Sequence, residues 1–161
     1  MKENGDCGMM NEMKMVIRVA TINDAEAIWE IHNRSVRSLC SADYTAEKID
    51  AWAGHRTPED YRQRIQRDPF YVAEINGKVI GYARFSVTTN ELCSVFVDPS
   101  YTRRGIGTAL FKKMCEDAVS RDMTHFWLDA SITAVPFYES VGFKKERETI
   151  RSKIQKQLTE E

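Results

Sequence analysis

The spacing of hydrophobic residues is helical over the first part of the chain. A short β-rich run at 15–20 comes first, and apolar residues then recur every three or four positions from 25 to 36. We predict a helix there, capped by Asn23 or Asp24, whose side chains accept hydrogen bonds from the free amides of a first turn. Two further helices are predicted, one at 46–53 and one that begins near Pro58.

The period changes to that of strands near residue 70. Asn76-Gly77 is typical of a two-residue hairpin turn, so we predict strands on either side of it. A third strand ends before Pro99, which cannot donate to a sheet ladder. The predicted elements of this half are strands at 70–75, 78–88 and 91–97, a helix at 108–120, a strand at 124–130, a short helix at 135–140 and a strand at 143–158.

This order of elements predicts an α/β (α+β) fold with one central sheet. Three successive antiparallel strands lead into a crossover helix and another strand, which gives a mixed, mostly antiparallel twisted sheet with helices on both faces. A crevice is expected where the strand before Pro99 and the strand ending at Ala130 diverge. We predict a single domain over 15–161, preceded by a disordered tail at 1–14.

Composition and charge narrow the function classes. The chain has 161 residues, 42% of them hydrophobic, and a net charge of -1, so we expect no nucleic-acid partner. No apolar run approaches the roughly 18 residues of a membrane span, so we expect no membrane partner either. The cysteines, which are Cys7, Cys40, Cys93 and Cys115, form no C-x-x-C pair. We therefore expect neither a metal site nor a disulfide framework, and a reducing cytoplasm as the location.

A glycine-rich basic turn follows the strand at 91–97. Gly105 and Gly107 let a ligand approach the backbone closely, and the next helix presents first-turn amides that lack helical partners. The spacing fits neither a Walker A loop, which needs Lys-Ser/Thr after its glycines, nor a dinucleotide fingerprint, because Leu110 replaces the third glycine. A cofactor with a diphosphate is the expected ligand, and a tight strand-to-helix turn without a ligand is the alternative.

Two segments and the order of elements resemble the GNAT superfamily of acetyl-CoA-dependent N-acetyltransferases. Residues 97–107, with Arg104-Gly105-Ile106-Gly107 at their end, are similar to the family's Q/R-x-x-G-x-G/A pyrophosphate loop. Residues 134–143 are similar to its A-x-x-F-Y-x-x-x-G-F segment. Thr102 stands at the Q/R position, so we assign diphosphate binding mainly to backbone amides, with charge from Arg103 or Arg104.

The resemblance implies where the cosubstrate acetyl-CoA binds. Amides of 103–108 would hold the diphosphate, and the backbone of 95–97 would run beside the pantetheine like an added strand. The N–H of Phe96 or Val97 would donate to the thioester oxygen. The predicted cofactor-binding residues are Val95, Phe96, Val97, Arg103, Arg104, Gly105, Ile106, Gly107, Thr108, Ser131 and Tyr138.

Acetyl transfer to an amine needs a base for the ammonium proton and an acid for the departing thiolate. The resemblance makes Tyr138 the candidate acid, because a phenol with a pKa of about 10 is protonated at neutral pH. Glu91 is the candidate base and lies where the histone acetyltransferase branch keeps its catalytic glutamate; an exposed hairpin glutamate is the alternative interpretation. His32 is the second choice of base, and Asp129 or Ser131 can order water.

The acceptor pocket is expected between the first two helices and the strand that contains Phe85. Its predicted lining is His32, Arg37, Tyr44, Trp52 and Phe85, with Arg34 and Arg56 nearby. Arginines would favour an acceptor with a carboxylate or phosphate, and a solvated face is the alternative. We expect acetyl transfer to a primary amine of a small molecule by direct attack in a ternary complex. The alternatives are an acyl-CoA-binding module without turnover and a protein or peptide N-acetyltransferase, and a homodimer is compatible with each.

Overall fold

The helices and strands follow the predicted order. The computed structural model describes residues 14–39, 43–131, 134–147 and 151–157, so the predicted tail lies outside it apart from Lys14. The elements in these ranges are β1 (Met15–Val19), α1 (Ala25–Leu39), α2 (Ala46–Ala53), α3 (Pro58–Arg67), β2 (Phe70–Ile75), β3 (Lys78–Phe85), β4 (Leu92–Val97), α4 (Ile106–Ser120), β5 (His125–Ser131), α5 (Val135–Ser140), β6 (Lys144–Arg147) and β7 (Arg151–Gln157). None of these helices has both the length and the apolar character needed to cross a bilayer.

Two antiparallel sheets meet through one short parallel contact. β1, β2, β3 and β4 pair in that order, and β5, β7 and β6 form the second sheet. The contact is a parallel bridge between Glu91 and Trp127. It is reinforced by the Trp127 amide, which donates to Asn90 O at 3.2 Å, and by the indole Nε1, which donates to Thr89 O at 2.9 Å. Beyond this contact β4 and β5 are no longer paired in the described residues, which confirms a mixed sheet with a crevice between their carboxyl ends.

Strand β2 is buried on both sides because helices cover both faces of the first sheet. Successive side chains of a strand point to opposite faces. Tyr71 and Ala73 accordingly join the cluster around α4, whereas Phe70 and Val72 join the cluster around α1. The helices supply the matching apolar residues, all at most 1% exposed, which are Ile28 and Ile31 from α1 and Leu110 and Met114 from α4.

The start of α1 differs from the prediction. A single 3-10 turn at Ile22–Asp24 precedes the helix, and Thr21 is its N-cap. Asp24 accepts the Thr21 N–H at 2.7 Å and pairs with Arg18 at 2.9 Å, so the carboxylate completes a capping box one turn before α1. At α3 the prediction is confirmed, because Pro58 occupies the first turn and Thr57 caps it.

Three predicted boundaries are wrong. The strand predicted at 78–88 ends at Phe85, and the helix predicted from 108 begins at Ile106. The strand predicted at 143–158 is two strands, β6 and β7, which pair antiparallel. This segment is rich in charged residues, so hydrophobic spacing carries little information about where its chain reverses.

Candidate active site

Two left-handed residues shape the loop between β4 and α4. Arg103 has a φ of 66° and Gly105 a φ of 77°, and α4 begins immediately afterwards at Ile106. The first-turn amides of α4 lack helical partners, and residues 105–108 line a cavity beside the loop. A Cβ on Gly107 would lie 3.4 Å from Cε1 of Phe137, so glycine allows the helix start to approach α5 closely. This geometry suits an anion.

The side chains of the loop have separate roles. Thr102 Oγ1 donates to Pro99 O at 3.3 Å, so the residue at the family's Q/R position binds its own loop. The Arg104 guanidinium lies over the Tyr101 ring, with Cζ 5.2 Å from the centroid. Arg103 lines the cavity beside the loop and Arg104 does not, within the part of the wall that the structure describes. Arg103 is therefore the arginine placed to meet a ligand there.

Two cavities open along β4. The loop cavity, of about 450 Å³, lies between β4, the loop before α4, and α5. The cleft cavity, of about 390 Å³, lies between α1, the segment before α3, β4 and β5. Both cavities are lined by Val95, Phe96, Ala134 and Tyr138. Ligands in the two cavities would meet at this junction.

The backbone of β4 alternates between β3 and the open crevice. The Asp98 amide donates to Ile80 O at 2.8 Å, which continues the antiparallel register in which Tyr82 lies opposite Phe96. In an antiparallel ladder every second residue bonds the neighbouring strand, so Phe96 bonds β3, and the N–H groups of Val95 and Val97 point to the crevice. Ser35 Oγ donates to Val97 O at 2.9 Å, as expected for a carbonyl on that side.

Known proteins resemble this chain in sequence and in fold. A family model of the acetyltransferase (GNAT) domain matches residues 40–155. The chain belongs to the GNAT acetyltransferase family. The uncharacterized N-acetyltransferase YafP of Escherichia coli strain K12 is 32% identical over 121 residues, which cover 75% of this chain and 75% of that protein. The ribosomal protein bS18-alanine N-acetyltransferase of the same strain is 33% identical over 75 residues, which cover 44% of this chain and 51% of that protein.

A solved GNAT structure shows the same fold. The crystal structure of PaiA N-acetyltransferase from Thermoplasma acidophilum in complex with coenzyme A superposes with a TM-score of 0.83 and 23% identity. The superposition covers 90% of this chain and 99% of that chain. The family match and the similarity to YafP identify this protein as an acetyl-CoA-dependent GNAT N-acetyltransferase, and the superposition shows its fold.

Tyr138 and His32 are the titratable candidates that line the cleft cavity of this acetyltransferase. Tyr138 is 5% exposed, belongs to α5 and lines both cavities, with the rings of Phe137 and Phe143 at 5.1 and 5.5 Å. His32 lies on α1, with its ring edge-on to Phe96 at 5.2 Å. Its Nδ1 is 3.3 Å from the hydroxyl of Tyr82, and burial raises the pKa of that hydroxyl well above its usual range.

Glu91 lies farther from the junction than the sequence led us to expect. It precedes β4 and is half-buried at the parallel bridge, and it is absent from the described lining of either cavity. Its assignment as base stays a prediction. Asp129 lines the cleft cavity, whereas the side chain of Ser131 lies outside the described part of the chain.

Cys93 also lines the cleft cavity, and its environment disfavours a thiolate. Burial raises the pKa of the Cys93 thiol, whose Sγ donates to Glu91 O at 3.6 Å. A nucleophilic cysteine needs a lowered pKa, so this environment does not favour Cys93 as a nucleophile. The described residues also hold no group of three metal-ligating side chains that could bind a metal ion.

Most of the predicted acceptor-pocket residues lie elsewhere. Phe85 is fully buried, with the Phe126 ring at 5.3 Å, and it is absent from the described lining of both cavities. Tyr44 packs with Val36 and Ile49 in a small core cluster. Arg37 is exposed and bonded to Asp50. The side chain of Trp52 lies outside the described residues.

The two arginines that were predicted near the pocket lie in different surroundings in the structure. Arg34 pairs with the buried Asp98, so its charge neutralises that carboxylate in the turn after β4. Arg56 lines the cleft cavity. No role was predicted for His55 and Ser94, which also line that cavity. A buried polar Ser94 within an apolar strand was the available signal for a pocket wall.

Proposed function

We propose that this enzyme transfers the acetyl group of acetyl-CoA to a primary amine of a small molecule, by direct attack in a ternary complex. The observation that carries the proposal is the junction of two cavities at Val95, Phe96, Ala134 and Tyr138. The loop cavity has the amides and charge that a diphosphate needs. The cleft cavity then receives the acceptor from the other side of the same strand.

Acetyl-CoA would enter along β4 with its thioester at the junction. The first-turn amides of α4 and Arg103 would hold the diphosphate, while the crevice-facing N–H groups of Val95 and Val97 and the Val95 carbonyl would pair with the pantetheine. Either N–H would donate to the thioester oxygen, where negative charge develops during attack. The Phe96 amide is less suited to this role, because the ladder directs it to β3.

The transfer moves two protons and exchanges one bond. The ammonium of the acceptor gives one proton to the base, its nitrogen forms a bond with the acetyl carbon, and the carbon–sulfur bond breaks. The nitrogen then gives up its second proton, which balances the proton that the departing thiolate takes up. We assign the acid role to Tyr138, which would protonate the departing thiolate at the junction. We assign the base role to His32, because it lines the cleft cavity and Glu91 does not, within the described walls.

The size of the cleft cavity supports a small acceptor. Its volume of about 390 Å³ lies within the range of small-molecule sites. The second candidate is a protein N-terminus, because the similar bS18-alanine N-acetyltransferase acts on a ribosomal protein. An extended peptide would have to enter the same cavity end-on.

A turnover screen with detection of free CoA thiol tests the proposal. Acetyl-CoA is mixed with amino acids, polyamines, aminoglycosides and amino sugars, and separately with peptides that begin with alanine. We expect CoA release and an acetylated product by mass spectrometry with at least one small amine. Turnover of peptides alone would favour the second candidate. Binding of acetyl-CoA without any product would favour a binding module over an enzyme that acts on these amines.

A further inference from the structure

Arg56 is a cation at the cleft cavity without a carboxylate partner among the described residues. It lines the cavity, and the only described side chain to which it is hydrogen-bonded is the hydroxyl of Tyr61. Other arginines near α1 and β3 are neutralised, because Arg34 pairs with Asp98 and Arg84 with Asp68. An unpaired cation at a cavity attracts an anion more strongly than one that is already paired.

The position of Arg56 is fixed from two sides. Trp29 Nε1 donates to the Arg56 carbonyl oxygen at 2.7 Å, which ties the segment before α3 to α1. The guanidinium Nη1 donates to the Tyr61 hydroxyl at 3.2 Å, and Cζ lies 6.0 Å from the Tyr61 ring centroid. A guanidinium has five N–H donors, so this bond leaves most of its fork for a ligand. Such a preorganised arginine loses little freedom when it binds.

The surroundings add positive charge. Arg64 also lies against the Tyr61 ring, with Cζ 6.0 Å from its centroid. Burial lowers the pKa of Arg64, and repulsion from Arg56 and Arg84 lowers it further. His55 lines the cavity next to Arg56. Arg56 and Arg64 therefore place two positive charges near this end of the cavity, while Asp60 attracts Arg56 from beyond ion-pair distance and Asp129 lines the same cavity from β5.

We infer that the acceptor amine carries an anionic group, a carboxylate or a phosphate, which binds the guanidinium of Arg56. The inference rests on the proposed function and specifies its substrate class. The anionic group would lie at the α3 end of the cleft cavity, and the amine would reach the junction beside Tyr138 and His32. Recognition of the anion would then orient the nitrogen toward the thioester.

Matched pairs of acceptors test this inference at saturating acetyl-CoA. The pairs are L-alanine with L-alaninamide, and O-phosphoethanolamine with ethanolamine, so each pair differs mainly in its anionic group. The measured quantity is the ratio of kcat/KM within a pair, compared between wild type and Arg56→Gln, because this comparison cancels the basicity of the amine. We expect the substitution to lower the ratio about tenfold or more for one pair, and the affected pair distinguishes a carboxylate from a phosphate.

Two further variants separate recognition from structure. Arg56→Lys keeps the charge without the bidentate fork, so it should retain part of the preference. Arg62→Gln removes an exposed arginine that is paired with Glu59, and should leave every ratio unchanged. If Arg56→Gln lowers the anionic and neutral members of each pair equally, Arg56 supports only the fold of the site and the inference is overturned, while the proposed function stands.

A binding measurement decides the case in which none of these four amines is acetylated. With CoA at saturation, so that the loop before α4 is occupied, L-alanine or O-phosphoethanolamine should raise the Tm of wild type and not that of Arg56→Gln. That result would support the anion site even if turnover failed and the proposed function fell. Equal shifts in both proteins, or none, would overturn the anion site.

Discussion

The Nδ1 atom of His32 lies 3.3 Å from the hydroxyl oxygen of Tyr82, and both side chains are buried. Burial raises the pKa of the Tyr82 hydroxyl, so this group stays neutral across the physiological range. In the tautomer that carries its proton on Nδ1, His32 donates to this oxygen and keeps a lone pair on Nε2. Tyr82 is thus a positioning residue for the base that we propose.

Loss of the Tyr82 hydroxyl should slow the reaction without leaving a large cavity in the hydrophobic core. Tyr82→Phe keeps the ring that stacks on Phe70, so the fold should survive. We expect kcat to fall several-fold and the low-pH limb of the kcat profile to move, because the imidazole loses the partner that orients it.

Replacement of the proposed base itself should have a larger effect. His32→Gln should lower kcat about a hundredfold and abolish that limb, along which activity rises with pH as the imidazole becomes neutral. His125→Gln, at a partly exposed histidine on β5 outside the described lining of both cavities, is the matched control. An unchanged pH profile in His32→Gln would return the base role to Glu91 or to water.

Removal of the Tyr138 hydroxyl should affect chemistry more than binding. Tyr138→Phe retains the ring contacts with Phe137 and Phe143. We expect kcat to fall by more than about tenfold, with little change in the KM for acetyl-CoA, because the acid acts on the departing thiolate. Steady-state kinetics with free-thiol detection measures both constants. Full activity in this variant would remove Tyr138 from the acid role.

The left-handed conformation at Gly105 should be sensitive to substitution. A Cβ there has no neighbour within 4 Å, so the cost of Gly105→Ala comes from the φ of 77° alone. We expect a loss of about 1 kcal/mol in the free energy of unfolding and weaker CoA binding. Gly105→Asn should lose less, because asparagine tolerates this region. Urea unfolding and calorimetric titration with CoA would show equal losses for both variants if steric strain were not the cause.

The two loop arginines should differ in their effect on CoA binding. Arg103 lines the loop cavity, whereas Arg104 lies over Tyr101. Arg103→Gln should weaken CoA binding about tenfold at low salt, and Arg104→Gln should weaken it less. The difference should shrink at high salt, because exposed charges are screened. Equal effects of the two substitutions would contradict the assignment.

The capping box before α1 should make stability depend on pH. Burial alone would raise the pKa of Asp24, but hydrogen bonds from Arg18 and from the Thr21 amide outweigh it and hold the pKa below its usual range. The ion pair therefore stabilises the fold above the unfolded pKa of about 3.9 and is lost as pH falls through the folded value. Asp24→Asn should cost about 1 kcal/mol at pH 7 and much less at pH 2. A cost independent of pH would assign the effect to packing.

Much of the fold was determined by local sequence signals. Asn76-Gly77 specified the hairpin because both residues tolerate positive φ, which the structure confirms at 53° and 82°. Thr57 with Pro58 specified the start of α3 in the same local way. The glycine loop before α4 was recognisable because its conformation depends on the residues within it. Near 143–158 the alternation of apolar residues was weak, and the division into β6 and β7 was missed.

The tertiary structure decided which side chains share a cavity. Nothing in the sequence distinguishes the roles of Arg34, Arg37 and Arg56. In the described part of the chain only Arg56 lines the cleft cavity. Arg34 is paired with Asp98 and Arg37 with Asp50. Phe85 and His32 were placed in one pocket, but the register of β3 turns Phe85 into the core. Neighbouring side chains of a strand lie on opposite faces, and ion pairs form across long sequence separations. The local sequence therefore determined the cosubstrate loop, and long-range packing determined the acceptor site.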